Sequence, residues 1–568
     1  MAMKDAKKTA IVVGAGVGGI ASAARLAKAG YAVTVLEKND FTGGRCSLIH
    51  NDGFRFDQGP SLLLLPQLFH ETFNDLDTSL AAEDVTLFKC EPNYHIWFGD
   101  GKNFKLSSDM AVMKQEIEAF EGKDGFERYL SWLQEAHRHY EISVREVLHK
   151  NFSSIFNMLR PNFFVNLFDL HPFESIYSRA SRYFLTDRLR RVFTFGSMYM
   201  GMSPMAAPGT YSLLQYTELA EGIWYPKGGF HAIVGALERI CTRLGVEIRL
   251  SSPVSQILTT GDGKAVTGVE LSSGERLYSD LVVVNADLVY AYSNLFPTQP
   301  SSFAKSLEKR ESSCSSLSFY WSLSRQIPEL QTHNIFLADE YHESFNAIFD
   351  RHSIPEEPSF YVNVPSRIDP TAAPPGKDSI VVLVPVGHLL ESRNPKSNVN
   401  TSEQDWNTIT SLARSKILKT IQERTGCAEL APLIINESVN TPITWKAIFN
   451  LSKGSILGLS HSFLNVLSFR PKTKHPQIKG VYFVGASTHP GTGVPIVLAG
   501  AKITTEQILA DRKVEVPWGK KTQIHSDKNM AKSDLDRLKK NTLLTSNFGI
   551  LSSVLLIILL WLSMNMRT

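Results

Sequence analysis

The fold is decided by Ala10-Ile11-Val12-Val13-Gly14-Ala15-Gly16-Val17-Gly18-Gly19 and the stretch running on from it to Glu37. Residues 10–13 are a short apolar run without alternation, the pattern of a strand buried on both faces. The glycine turn follows, and then a helical stretch over 20–28 built from small residues with Arg25 and Leu26. Gly30 supplies the stop, and 31–36 reads as a second strand ending at Glu37. This is the first half of a βαβ unit. Gly14-x-Gly16-x-x-Gly19 lets the backbone approach a pyrophosphate and sets that anion at a helix N-terminus. An acid after the second strand accepts hydrogen bonds from an adenosine ribose and repels a 2′-phosphate. The fingerprint implies a dinucleotide but does not choose between NAD and FAD. A tight strand-to-helix turn without a ligand is the plainer alternative.

Working outward, Phe41-Thr42-Gly43-Gly44-Arg45 and Phe54-Arg55-Phe56-Asp57-Gln58-Gly59-Pro60-Ser61 come next. Two glycines and an arginine offer backbone donors and a planar cation to a second phosphate or to a flavin ring. Read alone, they also fit a surface loop with an ion-paired arginine. Further on, 112–148 is mostly helical by spacing and charge, and 246–250, 254–259, 265–271 and 277–285 read as four strands. Residues 355–375 are proline-rich and read as loop and edge strand. Residues 481–484 are another short buried strand, followed by a helix from 494 to about 509.

Composition is that of a globular chain: 43% hydrophobic and 20% charged over 568 residues, a length that suggests several domains. The 59 basic and 56 acidic residues leave only +3, which gives no ground for a nucleic-acid partner. The positive excess is local, with nine Lys/Arg against five Asp/Glu between Asp511 and Asn541. Five scattered cysteines without a metal spacing read as reduced thiols, and no zinc or other metal site is expected. The apolar run at the N-terminus is too short for a signal peptide. From Asn541 to Met566 there is no charge at all, and 543–564 is long enough for about 20 helical residues across a bilayer. With Lys539 and Lys540 on one flank, the expectation is a single-pass C-terminal transmembrane anchor with the catalytic body in the cytoplasm. A buried core helix is the alternative.

These motifs, together with Trp224-Tyr225-Pro226-Lys227-Gly228-Gly229, Val282-Val283-Val284-Asn285-Ala286-Asp287 and the run from Tyr482 through Gly485 and Gly491-Thr492-Gly493 to Val494-Pro495, carry a resemblance. The chain resembles the flavoprotein superfamily of amine oxidases and carotenoid desaturases and, within it, is similar to the bacterial and fungal phytoene desaturases. The match covers about 8–510. It implies an α/β fold: a Rossmann-type FAD-binding domain from the discontinuous segments 8–75, 225–290 and 475–510, and a mixed-sheet and helical substrate domain from 76–224 and 291–474. A basic linker (511–541) and the transmembrane helix would complete the chain. Position by position it implies Gly14, Gly16 and Gly19 at the pyrophosphate and Glu37 at the ribose. Gly44, Arg45 and the Gly59-Pro60-Ser61 turn would lie beside the flavin, and Val254 would offer its backbone to the adenine. Gly485 would approach the ribityl phosphate region, and the Val494 N–H would face the pyrimidine edge of the ring. Many relatives carry an acid just after the glycine of the last strand, where this chain has Ala486.

The implied activity is stepwise desaturation of phytoene to lycopene or 3,4-didehydrolycopene by hydride transfer to FAD, with oxygen or a quinone as final acceptor. Rival readings are a related carotenoid isomerase or retinoid saturase, and a flavin-free prenyl escort of the GDP-dissociation-inhibitor type. A C40 hydrocarbon has no polar handle and enters from a bilayer. Phe152, Phe156, Phe163, Phe164, Phe168 and Phe173 therefore read either as core or as a membrane-facing mouth. No catalytic base stands out: His95, His388, His461 and His489 have neither ligand spacing nor a paired carboxylate.

Overall fold

Five short strands, β1 (Thr9–Val13), β2 (Ala32–Leu36), β3 (Glu247–Arg249), β4 (Leu281–Val284) and β5 (Val481–Phe483), pair in parallel in the order β3-β2-β1-β4-β5. This is the doubly wound order, whose direction of progression reverses between β1 and β4, where such sheets open a crevice. The computed structural model that gives this architecture describes residues 8–296, 302–390 and 404–519, the side chains of 162, 164 and 165 excepted. Apolar runs without alternation form these strands because both faces are covered: α1 (Val17–Lys28) packs on one side with α2 (Val494–Asp511), the helix that follows β5, and the small antiparallel sheet of residues 254–278 joins the core on the other.

Glycines set how closely these pieces meet. A Cβ on Gly18 would lie 2.7 Å from Val497 of α2, and one on Gly19 would lie 2.1 Å from the Gly14 carbonyl oxygen. Gly19→Ala is therefore expected to lower stability by ~1–3 kcal/mol, the usual penalty for forcing extra volume into a packed core. Chemical denaturation with flavin absorbance followed in parallel checks this, and an unchanged midpoint would contradict it.

A second, seven-stranded sheet is mixed. Its order is Ile434–Asn440, Ser315–Leu323, Asp378–Val386, Phe360–Asn363, His333–Phe336, Tyr94–Trp97 and Asn103–Leu106, with one parallel pair between His333–Phe336 and Tyr94–Trp97. Helices Met110–Glu121 and Lys123–Ser143, divided at Gly122, build the layer beside it. Two sequence expectations change here. The strand read over 277–285 is two strands, Arg276–Tyr278 in a three-stranded antiparallel sheet and Leu281–Val284 in the parallel one. The chain turns at Asp280, whose carboxylate accepts the Thr9 N–H (2.7 Å) and hydroxyl (2.9 Å) and so fixes the start of β1 beside β4. The proline-rich 355–375 contributes an interior strand, Phe360–Asn363, rather than an edge. The prolines fall outside its paired residues, where they block no ladder bond.

The transmembrane helix does not stand as part of the fold. No helix among the described residues is long and apolar enough to cross a membrane, and 543–564, with most of the basic linker, lies outside them. The apolar C-terminal helix that is described, α2, owes its composition to burial in protein. It packs on α1, and its Lys502 is ion-paired with Glu71 (2.6 Å) and Asp75 (3.0 Å). The fold of the described residues is mixed α/β, with no helix among them that crosses a membrane. The single-pass C-terminal anchor and the cytoplasmic catalytic body rested on that helix and fall with it.

Candidate functional site

A cavity of about 590 Å³ opens where β1, β2, β4 and β5 end at the reversal of strand order. Its size falls in the range of cofactor and ligand sites, ~300–1,000 Å³. Gly14 and Gly16 after β1, Glu37 after β2, Asn285 after β4 and Gly485 after β5 all line it. Gly44, Arg45, Gly59, Pro60, Ser61, Val254 and Val494 also line it, so eleven of the twelve residues singled out from sequence share one wall. Gly19 is absent from the lining, since its missing side chain makes room for the Gly14 carbonyl instead.

The first turn of α1 has no side-chain cap at Gly16, so its leading N–H groups open toward the cavity. Glu37 is buried. Its Oε2 accepts the Ala15 N–H (2.8 Å) and its Oε1 accepts the Asn39 N–H (2.9 Å) and side-chain amide (3.0 Å). Oε2 keeps a lone pair for a further donor. The Gly43-Gly44 turn lies directly on this loop: the Gly43 N–H donates to Ala15 (2.9 Å), and a Cβ on Gly44 would sit 3.5 Å from the Gly16 Cα. Arg45 reaches the Ile456 carbonyl, and burial pulls its pKa down from the ordinary guanidinium value. Ser61 is hydrogen-bonded to the Tyr361 hydroxyl (2.7 Å).

Three residues to which the sequence assigns no role build or support this wall. Asn285 donates to the Val484 carbonyl (2.9 Å) and fills the space beneath Gly14, Gly16 and Gly19. Arg470 is fully buried and donates to the carbonyls of Ser460 (3.0 Å), Asn465 (2.6 Å) and Thr488 (3.2 Å), among others. It thereby ties the 459–465 loop to the turn after β5, and burial pulls its pKa down to about 10. His461 accepts the Thr492 N–H at Nε2 (3.1 Å). Burial, then the Arg470 charge, hold it neutral, which leaves its proton on Nδ1, a buried donor with no partner among the described residues. Gly491 is glycine because a Cβ there would lie 2.5 Å from that imidazole.

The other end of the cavity is apolar, walled by residues such as Leu64, Leu148, Phe195, Met198, Leu213 and Leu467. The aromatic stretch from Phe152 to Phe173 divides between the two readings made of it. Phe152 and Phe163 are core, whereas Phe156 (74% exposed), Phe168 and Phe173 (66%) face outward. Phe173 packs on Phe463 (4.7 Å between centroids), which lines the cavity. His95 and His489 are buried and His388 half-buried, and none of the three lines the cavity. Glu135, His139 and His171 come together within 4.8 Å, but Glu135 holds Arg179 and Tyr183, and both His139 nitrogens are engaged. Their arrangement is structural. All five cysteines are free and buried.

The comparisons agree with this geometry. The family model described as flavin containing amine oxidoreductase matches residues 17–398. A phytoene desaturase of Fusarium fujikuroi is 61% identical over 98% of this chain and 98% of its own. One from Neurospora crassa is 60% identical over 96% and 93%. An oxidoreductase from Methanosarcina mazei has the same fold, with a TM-score of 0.60 over 88% of this chain and all of its own, at 17% identity. FAD is the cofactor, and the residues present fit it. The open helix turn suits its pyrophosphate, the glycine cradle leaves it room, and the orphaned His461 donor suits its polar ring edge. On its sequence and its fold together, the chain belongs to the flavin containing amine oxidoreductases and, within them, to the phytoene desaturases.

Proposed function

We propose that this enzyme desaturates phytoene in successive passes, towards lycopene or 3,4-didehydrolycopene. The observation that carries the reading is the single cavity, glycine-lined and polar at the strand ends and apolar at the other, in a chain 61% identical to a phytoene desaturase. That identity, spread over nearly the whole chain, favours a desaturase over an isomerase, a saturase or a flavin-free escort. FAD, when bound, accepts a hydride from a carbon next to a conjugated system. The chain's residues bind, orient and shield.

Gly14 and Gly16 present the α1 N-terminus to the pyrophosphate, with Gly19 holding the turn closed. Glu37 accepts from the adenosine ribose, and Val254 lends its backbone to the adenine. Gly485 lets the ribityl phosphate region pass close, while Gly44, Arg45 and Gly59-Pro60-Ser61 flank the flavin. The Val494 N–H opens the α2 N-terminus toward the pyrimidine edge. Segments 8–75, 225–290 and 475–510 form the cofactor lobe, and 76–224 with 291–474 form the substrate lobe. Ala486 supplies no carboxylate at the ribityl position. Oxygen or a quinone reoxidises the flavin.

A C40 hydrocarbon reaches the apolar end from a lipid bilayer, and the exposed rings of this segment, with Phe173 against Phe463, mark where. Burial of a whole Phe side chain is worth ~1.5–3 kcal/mol. Even partial insertion of three rings then predicts that Phe156→Ser/Phe168→Ser/Phe173→Ser weakens binding to neutral lipid vesicles at least ~10-fold. Vesicle co-sedimentation reads this, and undiminished binding would remove the mouth from this face. Function itself is tested by incubating purified protein with FAD and vesicle-borne phytoene. Carotenes with lengthened conjugation are expected, and unchanged phytoene under aerobic conditions with added quinone would refute the assignment.

A further inference from the structure

Desaturation removes a proton as well as a hydride, and nothing described so far receives it. Glu218 is buried, 1% exposed, in the π-helical turn Thr217–Glu221. No cation pairs with it among the described residues. Its Oε1 accepts the Tyr94 hydroxyl (3.0 Å), and Tyr94 in turn accepts the Tyr199 hydroxyl (2.6 Å). Tyr199 lines the cavity. Three elements thus bring a carboxylate and two phenols into one file from the core to the cavity. Both bonds donate toward the carboxylate, which leaves the Tyr199 oxygen with its lone pairs free for a proton from the cavity.

Two neighbours suit a carboxyl that changes state. The Gln215 side-chain amide donates to Oε2 (3.0 Å), and its own oxygen, buried and unpartnered, can receive the carboxylic O–H if the amide turns over. Asn93 Oδ1 beside it is also buried without a partner. On the far side, Tyr361 joins the Ser61 hydroxyl of the Gly59-Pro60-Ser61 turn to His333 Nδ1 (2.8 Å). That places the tyrosine cluster against the proposed flavin position.

We infer that Tyr199, Tyr94 and Glu218 form the proton-accepting relay of the desaturation, with Tyr199 the catalytic residue and Glu218 the proton's destination. The inference rests on the desaturase reading. In one pass a C–H bond breaks and its electron pair leaves with the hydrogen as hydride to FAD. The neighbouring C–H bond then breaks, and its electron pair becomes the new π bond. That proton goes to the Tyr199 oxygen as the Tyr199 proton moves to Tyr94 and the Tyr94 proton to the Glu218 carboxylate. The substrate loses two hydrogens, the flavin gains two electrons and Glu218 ends neutral.

Burial pushes the Glu218 carboxyl up to about 8, opposed by the Tyr94 hydrogen bond. The titratable groups facing it are Tyr94 and Tyr199, both well above the ordinary phenol value through burial and then the Glu218 charge. Tyr361, also raised by burial, and His333, pushed down to about 3 by burial, lie next to them and keep one protonation state across the working range. A base that works when ionised makes the rate rise as pH climbs through about 8.

The test compares wild type with Tyr199→Phe, Tyr94→Phe and Glu218→Gln on vesicle-borne phytoene at saturating FAD. Loss of a general base is worth ~10²–10⁴-fold, so each single variant is expected to lose about 100-fold or more in rate at unchanged FAD content. Tyr199→Phe/Glu218→Gln is expected to fall no further than the worse single variant. Glu218→Gln is also expected to lose the rise in rate near pH 8. A readout without substrate accompanies these. A carboxyl raised by burial gives wild type stability that is full below its unfolded pKa and lost as pH climbs to about 8. The thermal midpoint of Glu218→Gln relative to wild type should therefore rise between about pH 5 and about pH 9. Tyr199→Phe activity within twofold of wild type, a retained pH rise in Glu218→Gln, or a pH-independent midpoint difference would each overturn the relay. If wild type leaves phytoene unchanged, the desaturase reading fails instead, and the midpoint alone judges Glu218.

Discussion

Gly16→Val is expected to give a folded protein that purifies without FAD. Gly16 has φ near −67°, which any residue can adopt, so backbone freedom is not why glycine stands there. Space is. A Cβ would lie 2.8 Å from the Asn285 Oδ1 atom, and Asn285 cannot swing away because its amide donates to the Val484 carbonyl (2.9 Å). The branched side chain must then push the turn into the cavity, where it separates the pyrophosphate from the α1 N–H groups. Hydrogen bonds to a charged group are worth ~1.5–3 kcal/mol each, so loss of two predicts a fall in affinity of at least ~100-fold. Flavin absorbance per mole of purified protein reads this, with the thermal midpoint of apoprotein as control. Full FAD occupancy would remove Gly16 from the site.

Glu37→Ala should weaken FAD binding by about one to two decades, the worth of one charge-assisted hydrogen bond at ~1.5–3 kcal/mol. The structure adds a second consequence. The same carboxylate braces the glycine turn through the Ala15 N–H (2.8 Å) and holds Asn39 on the other side. Its removal loosens the turn that receives the pyrophosphate as well as the ribose contact. Glu37→Gln separates the two effects: the amide oxygen still takes one backbone N–H, while the amide N–H₂ opposes the other. Its affinity is expected between those of wild type and alanine. Titration of apoprotein with FAD measures all three, and an unchanged dissociation constant for alanine would exclude Glu37 from binding.

The legible part of the site was the part carried by contiguous residues. A buried strand, three glycines and an acid at the end of the next strand form a local signal, since each is required within one βαβ unit. Three of these four residues line the cavity, as do the eight that the family resemblance implied. Gly19 shows the limit: its type was readable, but only the Gly14 carbonyl oxygen, 2.1 Å from where a Cβ would lie, shows that it faces the turn and not the cavity. Asn285, Arg470 and His461 act through partners distant in sequence, and no spacing rule marks them. Glu218 was equally hidden, because a lone glutamate reads as surface until strand Tyr94–Trp97 and the turn at Tyr199 close over it. The division of 277–285 into two strands depends on Asp280 finding Thr9, some 270 residues earlier. Apolar stretches were the least secure guide. Of the described rings in the Phe152–Phe173 segment two are core and three are exposed, and hydropathy alone does not separate a face that meets protein from one that meets lipid.

Cofactor and hydrocarbon are proposed to react within one cavity. Mixing the FAD-loaded enzyme with vesicle-borne phytoene in the absence of oxygen and quinone tests it most directly. The visible flavin band should bleach as desaturated carotene forms, one flavin reduced for each new double bond, and Gly16→Val should show neither event. Desaturated product appearing while the flavin stays oxidised would contradict the account, as would bleaching without any product.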